Sequence, residues 1–184
     1  MVNADNLDIR RISLFAFLSL LCWCLGLMIS FVLPSEYLGL TCGLSSQKQP
    51  INPMLINTDG LTLKIISNNL ECAIINILGF CFLGISTCLN LLYNGLMHGM
   101  SIRYSLSSYG IESLYRIIPH SFELLGLFLS GAVGFYSASC LVKVLLCKSI
   151  KHIRCIHTFV VFTILSFVII TVAGIVEVSV SFGI

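Results

Sequence analysis

The distribution of apolar positions along the chain predicts helices that cross a lipid bilayer. A transmembrane helix needs roughly 20 mainly apolar residues to span the hydrocarbon core. Ile12–Leu33 meets that need without a single charge, and Cys72–Tyr93 has only Asn76 and Asn90 as strongly polar members. His157–Val180 carries one charge, Glu177, near its end. A fourth run, Ile117–Val142, is long enough but opens with Pro119, His120 and Glu123. Proline fits the first turn of a helix, where its missing N–H has no intrahelical partner, so Pro119 marks the start of this helix.

The stretches between these runs are weaker. Pro34 to Gly60 is polar and broken by Pro34, Pro50, Pro53 and Gly60, which predicts a loop outside the bilayer. Leu61–Leu70 mixes Leu61, Leu63, Ile65, Ile66 and Leu70 with Lys64, Asn68 and Asn69. It reads as a short interfacial helix or as an early part of the second span. Leu96–Tyr109 follows the hairpin-like pair Asn94-Gly95, holds Arg103 and has 14 residues. At 1.5 Å per residue it covers about 21 Å, short of the ~30 Å core, and so reads as a broken or re-entrant span.

Charge decides how many crossings there are. Lys143, Lys148, Lys151 and Arg154 place four of the ten basic residues after the fourth run, with no acid among them. The positive-inside rule makes that loop cytoplasmic, and Arg10 and Arg11 put the N-terminus on the same side. Four spans would put those two places on opposite sides, whereas letting Leu96–Tyr109 cross gives five and reconciles them. The expected fold is one domain over 1–184: an all-α polytopic membrane helix bundle of about five spans with a short or broken third. The spans are 12–33, 72–93, 96–109, 117–142 and 157–180, with an external loop at 34–70 and a cytoplasmic loop at 143–155. The chain is expected to be multi-pass in the plasma membrane, its N-terminus cytoplasmic and its C-terminus external.

Composition agrees with immersion in lipid. Of 184 residues 57% are apolar and 10% charged, against about 25% charged in soluble domains, and the mean hydropathy is +1.00. A net charge of +2 is too small to suggest nucleic acid as a partner. Arg10 and Arg11 before an apolar run mimic a signal peptide, but the run outlasts the 7–15 residues of a signal core and no small-x-small site follows. An uncleaved first span is expected. The nine cysteines are odd in number and scattered, which argues against a disulfide framework, and no CxxC or Cys/His pair has zinc-ligand spacing. Neither a metal nor another cofactor is expected.

Small residues at helical spacing let backbones approach closely in lipid. Gly95 and Gly99 are four apart, and Ser130-Gly131-Ala132-Val133-Gly134 clusters such residues in one span. Ionisable groups are costly in lipid and call for partners. His120 and Glu123 share a helix face, and Asn69, Glu177 and an arginine (Arg103 or Arg116) are within reach in a five-span bundle. The set Asn69, His120, Glu123 and Glu177 is therefore either an interhelical polar clasp or a site for substrate, ion or partner. His98, His152 and His157 are expected at interfaces or in loops. No P-loop, GxGxxG, GxSxG, HExxH or kinase pattern occurs, so no enzymatic activity is expected.

From Asn68 onward the chain resembles the stage II sporulation protein M family. The likeness is carried by Asn68-Asn69, by Gly79 and Gly84 in a run ending Tyr93-Asn94-Gly95 with Gly99, and by Pro119-His120-Ser121-x-Glu123. It continues with Gly131-Ala132-x-Gly134 and Glu177. The resemblance implies a multi-span protein without catalytic activity of its own, a scaffold for envelope-remodelling enzymes or an accessory of exporters. Its implied partners are membrane or envelope proteins, among them an ABC-type ATPase. A permease-like subunit is the alternative, motivated by the short, glycine-interrupted third segment beside Glu123.

Overall fold

The computed structural model describes residues 4–34, 58–111, 121–147 and 153–182, and among these nearly all are helical and none is in a strand. The helices are α1 (Ala4–Val32), α2 (Thr58–Ile77), α3 (Ile85–Tyr109), α4 (Ser121–Cys147) and α5 (Ile153–Phe182), with a 3-10 turn, Leu78–Phe82, extending α2. Four stretches are long and apolar enough to cross a membrane: Ile9–Val32, Thr62–Phe82, Ser121–Leu146 and Ile156–Glu177.

The second and third expected spans have different ends from those read in the sequence. A continuous span at 72–93 does not form, because the chain reverses at Leu83 and Gly84, with φ of 53° and 89°. The Gly84 N–H donates to the Gly79 carbonyl at 2.8 Å and the Leu83 N–H to that of Phe80 at 3.2 Å. This paired 6→1 and 5→2 bonding is a Schellman stop, with leucine where glycine usually sits. Asn94-Gly95 is no hairpin but lies within α3, whose 25 residues extend about 37 Å, more than the ~30 Å core. The third helix is thus neither short nor broken. Its polarity, not its length, separates it from the other four. The predicted loop at 34–70 gives up 58–70 to α2, and that at 143–155 gives up 143–147 and 153–155 to α4 and α5.

Contacts set the helix directions. Cys22 meets Cys88 and Ser30 meets Arg103, so α1 and α3 run parallel. Thr87 meets Asn76 and Asn94 meets Cys72, so α2 and α3 form an antiparallel hairpin. Ile12 packs on Tyr136 while Trp23 packs on Phe128, so α4 runs against α1. The Ser166 hydroxyl bonds the Gly126 carbonyl, and Phe162 packs against Tyr136, so α5 runs against α4. The result is an up-down-up-down-up bundle. Arg10, Arg11, the Leu83-Gly84 turn and Lys143 gather at one end, and the first residues of α2 and α4 and the last of α3 and α5 at the other.

Burial follows the logic of lipid rather than of water. Ser19, Ser30, Asn76, Thr87, Ser130 and Ser166 are completely buried, whereas Leu14, Phe17, Leu25, Val168 and Val172 are exposed. Large apolar chains face outward and small or polar ones fill the helix crossings. α4 lies at the centre, touching every other helix. A Cβ on Gly134 would collide with the Asn76 carbonyl, one on Gly95 with that of Trp23, and one on Gly99 with the Ser30 hydroxyl. One on Gly131 would lie 2.6 Å from the Ser19 Oγ. These four glycines set how close the backbones come.

Candidate functional site

Two polar regions lie inside the bundle. The first is a seam between α2, α3 and α4. The Asn76 amide donates to the Ser130 hydroxyl at 3.0 Å and more weakly to the Leu127 carbonyl at 3.4 Å. Asn90 in turn donates to the Asn76 side-chain oxygen at 2.8 Å and to the Cys72 carbonyl at 3.0 Å. Asn94 donates to the Asn90 carbonyl at 2.8 Å, and the Thr87 hydroxyl to the Asn76 carbonyl at 2.7 Å. Asparagine brings two donors and one acceptor oxygen, and here each finds protein. Such an interhelical bond contributes roughly 0.6–2 kcal/mol in a membrane. The seam is a clasp.

The second region is a pocket of about 620 Å³ lined by Lys64, Ile65, Ser67, Asn68, Asn69, Glu71, His98, Glu123 and Glu177. α2 supplies one wall from its first half. Glu123 stands in the first turn of α4, where the helix dipole favours a negative charge. Glu177 comes from the last turns of α5 and is only 4% exposed. Gly174 lets α5 pack closely beside α2, since a Cβ there would lie 2.7 Å from the Ile66 side chain.

Of the residues singled out in the sequence, the structure brings Asn69, Glu123 and Glu177 to this one pocket. His120 and Pro119 lie outside the described residues, as does Arg116. Arg103 does not join them. Its guanidinium donates to the carbonyls of Ser30 and, at 2.9 Å, Leu33, closing the C-terminal end of α1. A cation there meets the negative end of the helix dipole.

His98 was not foreseen. Expected at an interface or in a loop, it sits inside α3, half-buried, and accepts a hydrogen bond at Nδ1 from the Trp23 indole at 3.1 Å. Indole N–H only donates, so the neutral imidazole must carry its proton on Nε2. His98 also walls a second cavity, of about 350 Å³, with Trp23, Ser101, Ile102, Ser105, Ser121 and Leu124. It therefore stands between the two cavities. The only sequence signal for it was a titratable group four residues after Asn94 on the polar side of α3.

Among the described residues no group of three His, Cys, Asp or Glu side chains is arranged to hold a metal ion. Six cysteines are free thiols there, with Cys22 and Cys88 sulfurs 3.7 Å apart. No curated protein and no solved structure is significantly similar to the chain. The family model for stage II sporulation protein M matches residues 19–182, nearly the whole chain, and the protein therefore belongs to that family.

Proposed function

We propose that the protein is a non-enzymatic membrane scaffold or accessory subunit that recruits partners for envelope remodelling or export. The observation that supports this reading is the division of polar groups. At the helix crossings neutral ones bond to one another across touching backbones, while Lys64, Glu71, Glu123 and Glu177 line an open pocket at one end. That end is the surface free to engage a neighbour. The basic residues Arg10, Arg11 and Lys143 at the opposite end support a cytoplasmic N-terminus and an external C-terminus. The pocket then faces outward.

Affinity purification from native membranes in mild detergent tests the reading. A stoichiometric membrane or envelope protein is expected to accompany the chain, and recovery of the chain alone would overturn it. Reporter fusions at the C-terminus and within 45–49 are both expected on the outer side; a cytoplasmic C-terminus would reverse the topology.

A permease-like subunit working with an ABC-type ATPase is the second reading, favoured by the charged pocket containing the buried Glu177. It ranks lower because the interrupted third span that motivated it is the continuous helix α3. ATP-dependent flux through vesicles reconstituted with the chain and an ATPase partner would reverse that order.

A further inference from the structure

The pocket lies where three apolar runs end. Lys64 to Glu71 fall in the first half of the run Thr62–Phe82, Glu123 is near the start of Ser121–Leu146, and Glu177 closes Ile156–Glu177. This is the depth at which hydrocarbon gives way to lipid headgroups. Its lining is graded by depth. Lys64, Ser67, Asn68 and Glu71 are exposed at the mouth, Asn69, His98 and Glu123 are half-buried, and Glu177 is buried on the floor.

Among the described lining residues, three carboxyl groups against one ammonium argue against an anionic ligand. The described side chains offer no metal-ligand set, which argues against a bare metal ion. An apolar ligand would leave the polar wall unmatched. What the lining fits is a compact organic cation with N–H donors, tethered to a negative group that stays near Lys64 at the mouth. We propose that this pocket holds the zwitterionic phosphoethanolamine headgroup of a membrane lipid. Its ammonium lies against Glu123 and Glu177, and its phosphate toward Lys64, Ser67 and Asn68.

The chemistry is selective. A primary ammonium offers three charge-assisted hydrogen bonds to carboxylates; a choline headgroup has no N–H, and a glycerol headgroup brings no positive charge. The volume of about 620 Å³ lies within the ~300–1,000 Å³ of small-ligand pockets. Depth argues that the amine arrives on a lipid and not free in water.

The test uses the full chain in vesicles of equal parts phosphatidylethanolamine, phosphatidylcholine and phosphatidylglycerol with matched acyl chains. Native mass spectrometry of the released protein reads the lipid retained. Phosphatidylethanolamine is expected to exceed each of the others about tenfold. Glu123→Gln and Glu177→Gln should bring that preference close to one, whereas Lys64→Gln, which touches the phosphate that all three lipids share, should lower the retention of each and leave the preference unchanged. Equal retention of the three lipids by the unmodified chain overturns the proposal and requires no variant. An unchanged preference in both glutamate variants also overturns it. Soluble phosphoethanolamine binding as tightly as the lipid would overturn the lipid as source. The outcome is independent of whether a protein partner is recovered, so this inference and the scaffold reading fail separately.

Discussion

The asparagine seam and the glutamate pocket are both polar and both set among apolar helices, yet they are built in opposite ways. In the seam, Asn76, Asn90, Thr87 and Ser130 bond to each other or to backbone at 2.7–3.0 Å, and glycine brings the helices into contact around them. In the pocket, charged side chains surround open space. Neutral amides can complete one another and vanish into a core, whereas charged groups are costly to bury and favour a place where water or a ligand can reach them. Polarity inside a membrane bundle therefore has two meanings, and the difference lies in whether the groups are packed against one another or line open space.

The comparison can be broken most severely at its tightest point. Gly134→Leu drives a side chain into the Asn76 carbonyl and should cost at least about 3 kcal/mol, seen as loss of a monodisperse peak on size exclusion in detergent. Asn76→Leu should come next. It takes the acceptor from one N–H of the Asn90 amide, while Ser130 keeps its bond to the Leu127 carbonyl, at a cost of about 1–3 kcal/mol, read as a lowered thermal unfolding midpoint. A pocket substitution should behave differently. Glu123→Gln is expected to move the midpoint by less than about 1 kcal/mol while abolishing partner capture, whereas Glu123→Leu should lower it further. Equal destabilisation by Glu123→Gln and Asn76→Leu would erase the distinction between the regions. The smallest effect belongs to Arg103→Gln, which removes a cation from the end of α1 and should cost about 0.3–1 kcal/mol.

How far the sequence could be read depended on which forces act locally. Long apolar runs are a one-dimensional signal, and α1, α4 and α5 lie where those runs are. Glu123 and Glu177 were legible because charge in an apolar run is conspicuous wherever the fold takes it. The turn at Leu83-Gly84 was not. It has no proline or polar breaker, and its first left-handed residue is a leucine, so only Gly84 hinted at it. Asn94-Gly95 misled for the converse reason. It has the composition of a turn, but Gly95 serves the crossing with Trp23, a contact between residues far apart in the chain. The seam was half visible. Asn76 and Asn90 stood out as polar exceptions, but placing them in one network required knowing that the chain reverses between them. His98 escaped because its partner, Trp23, lies 75 positions away.

The parallel contact between α1 and α3 bears on how the chain is made. Helices enter the bilayer from the ribosome in order, and each is sorted between lipid and water as it emerges. α3 is a poor candidate for lipid by itself, since it carries Arg103 near its end and Asn90, Asn94 and His98 within it. Every one of those groups finds a partner in a segment synthesised earlier: Arg103 in the end of α1, Asn90 and Asn94 in α2, His98 in Trp23. Of the five helices, α3 is the one whose polar groups depend most on contacts with segments that precede it in the chain.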